Sequence, residues 1–191
     1  TERVDFATFS SHKFHGLRGI GFVYIKSGKK ICPLLNGGGQ ESNKRSTTEN
    51  LAGIAAMAKA LRLSIENLGS FTTRTAKMKG IILEELAKYP DVTIFSGTEN
   101  FAPHILTFGI KGVRGEVVVH AFEEYDIYIS TTSACSSKAG KPAGTLIAMG
   151  VEKSLAQTAV RISLDVDNDM SQIEQFLTTF KLIYEKTRKV R

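Results

Sequence analysis

Leu51, Ile54, Ala55, Ala58, Leu61, Ile65 and Leu68 recur at three- and four-residue intervals. On a helix of about 3.6 residues per turn they share one face, so the spacing predicts a long helix beginning near Ser46. Ser46 followed by Glu49 has the form of a capping box at its start. Before it, Val4 to Phe9 reads as a strand that runs directly into the polar segment Ser10-Ser11-His12-Lys13, and Ile20 to Ile25 reads as a second strand. Pro33 to Lys44, with its Gly37-Gly38-Gly39 run, reads as a loop.

Beyond Leu68 the pattern changes character. A helix is expected from about Phe71 to Leu86, stopped by Tyr89-Pro90 because proline cannot continue the hydrogen-bond ladder. Strands are expected at Val92 to Phe95, His104 to Ile110, Ile127 to Ser130 and Val160 to Leu164. Helices are expected at Gly115 to Tyr125, at Pro142 to Met149, and from Ser171 to about Arg188, the last with Ile173, Phe176, Leu177, Phe180 and Ile183 on one face. Mixed helices and strands of this kind after Leu68 predict a compact α+β unit.

Composition narrows the class. With 42% apolar and 23% charged residues in 191, the chain has the make-up of a globular protein rather than a disordered or fibrous one. Apolar stretches are short and interrupted by Lys, Arg, Glu or Gly, and Thr1-Glu2-Arg3-Val4-Asp5-Phe6 lacks the features of a secretory signal, so no membrane segment and a cytoplasmic location are expected. The net charge of +6 is concentrated at Lys26 to Lys30 and in the tail Lys181 to Arg191, where cations suit the end of a helix.

Few residues carry chemistry. The opening strand delivers Ser10, His12 and Lys13 to its C-terminal end, where ligands gather in α/β sheets, and a lysine there can form a Schiff base once part of its population is uncharged. Gly37-Gly38-Gly39 lets backbone approach an anion or another subunit, and Arg45-Ser46-Thr47-Thr48 places hydroxyls where phosphate is favoured, though both also suit an ordinary turn and cap. Two cysteines permit at most one disulfide and no cysteine-based metal cluster. Cys135 lies in Ser130-Thr131-Thr132-Ser133-Ala134-Cys135-Ser136-Ser137, a run of small polar residues that suits a nucleophilic thiol. Cys32, after an apolar residue and before Pro33, reads as a packed or passive thiol. Arg161 is a cation inside the apolar strand Val160-Arg161-Ile162 and calls for an anionic partner, either a ligand carboxylate or a structural ion pair.

Taken together, Ser10-Ser11-His12-Lys13-Phe14-His15-Gly16, Gly37-Gly38-Gly39-Gln40-Glu41, Arg45-Ser46-Thr47-Thr48-Glu49-Asn50, Ser133-Ala134-Cys135-Ser136-Ser137 and Val160-Arg161-Ile162-Ser163 resemble, in order and spacing, the group I cysteine desulfurases of NifS/IscS type. The resemblance extends from Thr1 to Arg191. It implies an α/β fold, the C-terminal part of a fold-type-I pyridoxal-phosphate-dependent transferase. In that fold 1–68 is the end of the large cofactor-binding domain and 69–191 is the small α+β domain. Lys13 would hold pyridoxal 5'-phosphate covalently, Ser10 and His12 would bind its phosphate, and Thr48 would reach the phosphate of the second subunit of a homodimer. Arg161 would pair with the carboxylate of the substrate L-cysteine. Cys135 would take the substrate's sulfur as a persulfide, releasing alanine, for delivery to an acceptor protein, either an iron–sulfur scaffold or a transfer-RNA thiolation enzyme.

The stretch leading into Pro142-Ala143-Gly144 resembles the transfer-RNA-directed desulfurases of Gram-positive bacteria. Departures from the family pattern are Leu17-Arg18 for Pro-Lys, Thr47 and Thr132 for glycines, and Asp165 for the glycine that often follows Ser-Leu; none removes a reactive group. The family's upstream half, with its ring-stacking aromatic residue and its aspartate for the pyridine nitrogen, has no counterpart here, so the 191 residues alone are expected to be inactive. Two other readings are a selenocysteine-lyase-like enzyme and a non-catalytic interaction module using the basic tail. Transamination needs no thiol such as Cys135, which argues against an aminotransferase.

Overall fold

A computed structural model describes residues 3–131 and 144–189. The chain divides into two compact units, Thr1–Leu68 and Gly69–Arg191. In the first, β1 (Phe6–Ser10) and β2 (Gly21–Ile25) form an antiparallel hairpin in register Phe6↔Ile25 to Ser10↔Gly21. A 3₁₀ turn, Ser11–Lys13, leaves the end of β1. A short segment, α1 (Gln40–Asn43), holds Glu41 and Ser42 at positive φ and is a left-handed turn within the expected loop. The long helix α2 (Leu51–Glu66) begins later than Ser46: Asn50 caps it, its Oδ1 accepting from the Gly53 amide at 3.0 Å. The Ser46 amide instead donates to the Leu35 carbonyl, which ties the preceding loop to the glycine-rich segment.

This unit has little core of its own. Its buried residues, among those described, are Ser11, Gly53 and Ala60, while Phe6, Phe9, Val23, Leu51 and Leu34, the last 92% exposed, face outward. Phe9 and Phe22 stack at 4.6 Å across the hairpin. Cys32 is free and exposed, so the packed thiol expected from its apolar neighbour is not formed.

The second unit opens with α3 (Leu68–Leu86). It starts three residues ahead of the expected Phe71 because Asn67, the C-cap of α2, keeps a right-handed helical backbone and the chain re-enters helix at once. Four strands follow in the order β3-β4-β6-β5, all neighbours antiparallel: β3 (Val92–Ile94), β4 (Ile105–Ile110), β5 (Ser130–Thr131) and β6 (Ala159–Ser163). The expected strand at Ile127 pairs only from Ser130. The chain is still turning before that, with Asp126 at φ 57° and the Ile127 amide bonded to Phe122.

Alternation along β4 and β6 gives this sheet two working faces. Leu106, Phe108, Ile110, Val160 and Ile162 pack with Met78, Ile82 and Leu86 of α3, with Val118 and Phe122 of α4 (Gly115–Glu123), and with Ile173, Phe176, Phe180 and Ile183 of α7 (Met170–Lys189). Phe95 and Ala159 instead meet Leu146 of α5 (Gly144–Ala148) and Ala156 of α6 (Lys153–Ala156), a helix the sequence pattern did not predict. Gly115 lets α4 start against β6: a Cβ there would sit 2.6 Å from the Ala159 carbonyl oxygen.

Candidate active site

The turn after β1 is fixed by its own backbone. The Ser11 amide donates to the Ile20 carbonyl, and the Phe14 and Gly16 amides both donate to the Ser11 carbonyl. A Cβ on Gly16 would sit 1.9 Å from Ser11 Oγ, so the chain must be bare there. Ser11 is fully buried, and its hydroxyl has no hydrogen-bond partner among the described residues. Its neighbours Ser10, His12 and Lys13 are all exposed, and the turn therefore presents a hydroxyl, an imidazole and an amine within four consecutive residues.

The same unit carries Thr48 on the exposed loop ahead of α2. Helix α2 packs on the hairpin through Gly53, where a Cβ would approach Ile20 Cδ1 to 2.9 Å, and Ser64 Oγ donates to the Phe14 carbonyl at 3.4 Å. Hydroxyl and imidazole donors beside a primary amine suit an anionic aldehyde such as pyridoxal phosphate: the amine for the carbonyl carbon, the donors for the phosphate.

In the second unit Arg161 occupies the middle of β6, between Thr107 of β4 and Ser130 of β5. Val160 and Ile162 point into the main core, so Arg161 lies on the opposite face. It is half-buried, and its Nε is shielded from solvent with no partner among the described residues. A guanidinium nitrogen in that state favours an incoming anion over a structural ion pair. Ser130 and Thr131 lead directly along the chain to Cys135, which lies outside the described residues.

A second polar group was not singled out from sequence. Lys79 of α3 is 2% exposed; its Nζ donates to the Ala102 carbonyl at 3.0 Å and sits 5.8 Å from the Phe101 ring centre. Burial pushes its pKa down from 10.5. Nearby, the His104 ring lies 5.3 Å from Phe71, and its Nδ1 is buried without a partner among the described residues. Burial is the largest cause holding His104 below 6.5; Asp165 pulls upward and Lys79 adds to the lowering. A histidine lowered in the folded state takes up its proton more readily when unfolded, so its stabilising contribution is intact above 6.5 and is lost as pH falls towards the folded value. The window for Lys79 lies higher and ends at 10.5. We expect the urea-unfolding midpoint to drop as pH falls from about 7.5 to about 5, and to drop less in His104→Asn; parallel curves for the two proteins would show that His104 does not drive the effect.

The aminotransferase class-V family matches residues 2–176, and the chain belongs to this family. Its relatives within it are NifS- and IscS-type proteins. The chain is 49% identical over 191 residues to a NifS/IcsS protein homolog of Lactobacillus delbrueckii subsp. bulgaricus, covering 100% of this chain and 50% of that protein. It is 35% identical over 188 residues to a cysteine desulfurase IscS of Dictyoglomus turgidum, covering 98% and 48%. Among solved structures, a NifS-like protein superposes with a TM-score of 0.84 at 34% identity, over 96% of this chain and 47% of that one. A NifS-like protein of Rickettsia africae gives 0.82 at 30% identity, over 95% and 48%. The α/β fold is therefore shared, and the chain spans about half the length of the curated relatives it matches.

Proposed function

We propose that this chain supplies the cofactor lysine, the carboxylate clamp and the sulfur-accepting thiol of a cysteine desulfurase. In this reading 1–68 is the end of a cofactor-binding domain and 69–191 the small domain. The observation that carries it is Arg161, whose shielded Nε, without a partner among the described residues, stands in β6 beside Ser130, at the root of the segment that bears Cys135.

Lys13 would hold pyridoxal phosphate, with Ser10 and His12 donating to its phosphate and Thr48 donating to that of a second subunit. The cofactor, when bound, supplies an electron sink for the carbon skeleton of the amino acid. The chain's own residues do the rest. Arg161 orients L-cysteine by its carboxylate, and Cys135 attacks the substrate Sγ. The Cβ–Sγ bond breaks with its electron pair left on Cβ, which takes up a proton, while an S–S bond forms at Cys135. Alanine leaves, and the persulfide on Cys135 passes to an acceptor protein, an iron–sulfur scaffold or a transfer-RNA thiolation enzyme. No helix among the described residues is long and apolar enough to cross a membrane.

Added pyridoxal phosphate and L-cysteine test this directly. A chain extended to the length of its relatives is expected to form one alanine per sulfur released by reductant, whereas the 191 residues alone form none. Absence of alanine from the extended chain would remove the desulfurase reading and favour an interaction module built on the basic tail.

A further inference from the structure

Arg161 has a neighbour in the sheet whose hydroxyl has nothing to do in the described structure. Thr107 is its partner in β4. The Thr107 amide donates to Ser96 Oγ at 2.7 Å, and the Thr107 carbonyl accepts from the Phe95 amide at 2.8 Å. Both main-chain groups therefore point away from β6, which makes Thr107 and Arg161 a non-hydrogen-bonded antiparallel pair. In such pairs the Cα atoms lie about 4.5 Å apart and the side chains stand closer than in the alternate positions.

Leu106 and Phe108 enter the main core, so Thr107 shares the opposite face with Arg161. On that face the small cluster of Phe95, Leu146, Ala156 and Ala159 covers the sheet at the Ala159 end. Thr107 itself is half-buried, and its hydroxyl makes no hydrogen bond among the described residues. On the other flank of Arg161, Ser130 Oγ is already committed to the Thr131 carbonyl at 3.1 Å.

We infer that the Thr107 hydroxyl is a second donor to the carboxylate that Arg161 binds, and so helps to select α-amino acids over amines and amides. The inference rests on the reading of Arg161 as the carboxylate clamp. A guanidinium alone attracts an anion from a range of directions; a hydroxyl fixed on the neighbouring strand adds a bond with one direction. It recognises the carboxylate, which L-cysteine and L-alanine share, rather than the sulfur.

The test uses the extended chain loaded with pyridoxal phosphate, and titrates L-alanine and L-alaninamide by the change in visible absorption. The amide keeps the α-amino group and side chain but has no carboxylate. Thr107→Val keeps the shape and removes the hydroxyl, and is expected to weaken L-alanine about tenfold while leaving L-alaninamide unchanged. Thr107→Ser should restore L-alanine binding. In steady state the Val variant should raise KM for L-cysteine and leave kcat nearly as it was. Equal weakening of both ligands, or no change in either, would overturn the inference, provided Arg161→Lys weakens L-alanine more than L-alaninamide. If Arg161→Lys weakens both ligands alike, or neither, the carboxylate clamp itself is overturned and the role of Thr107 goes with it.

Discussion

Lys13→Ala, made in a chain extended to the length of its relatives, is expected to lose the visible absorption of lysine-bound pyridoxal phosphate and to lower alanine formation from L-cysteine by on the order of a thousandfold or more. The structure makes this a test of chemistry rather than of folding. Lys13 is exposed and has no ion pair among the described residues. The turn that presents it is held by backbone bonds from Ser11, Phe14 and Gly16, none of which involves the lysine side chain. Exposed positions of this kind change stability by less than about 0.5 kcal/mol. The variant should therefore unfold at the same urea concentration as the parent. A Lys13→Ala protein that keeps the absorption band would show that another amine holds the cofactor; one that unfolds early would show that the lysine supports the turn.

The same turn illustrates what a sequence can and cannot display. Ser10, His12 and Lys13 are legible because their side-chain chemistry is unusual at the end of a strand. Ser11 is not: its role as the buried post of the turn depends on Ile20 and Gly16 folding back against it. The longer helices were legible in outline from apolar spacing, but the short α6 and the start of α2 were not. Ser46 and Asn50 are both competent caps, and the choice of Asn50 follows from Ser46 being bonded to Leu35 in the loop. Strand β5 shortened to Ser130–Thr131 for a comparable reason: Ile127 and Ile129 still contribute partly buried surface to the core, but the turn at Asp126 delays pairing.

Groups whose meaning is tertiary were the least visible. Lys79 looks like any charged residue on an amphipathic helix, yet it is buried under Phe101 and bonded to Ala102. His104 gains its lowered pKa from burial and, secondarily, from Lys79 on α3, against the opposing pull of Asp165. Arg161 stood out as a cation in an apolar strand. The pairing that sets it between Thr107 and Ser130 exists only once β4, β6 and β5 have met in register.

Cys135→Ser separates the thiol's role from the lysine's. The variant is expected to keep cofactor absorption and to bind L-cysteine, because Lys13, Ser10, His12 and Arg161 are untouched, yet to form neither persulfide nor alanine above background. Serine is nearly isosteric, but an alcohol is scarcely ionised near neutral pH and is a poor nucleophile towards sulfur, whereas a few per cent of a free thiol is already thiolate. Cys32 provides the internal control. It is the chain's other cysteine, and it is free and exposed, so alkylating reagents will label it. Cys32→Ser should retain full activity and should still lose it on alkylation, which assigns the reactive thiol to Cys135. Full desulfurase activity in Cys135→Ser would exclude this residue as the sulfur acceptor, and loss of activity in both serine variants would point to a thiol pair instead of one nucleophile. A Cys135→Ser protein that retains L-cysteine binding but forms no alanine would also weigh against the interaction-module reading, which assigns no chemistry to this position.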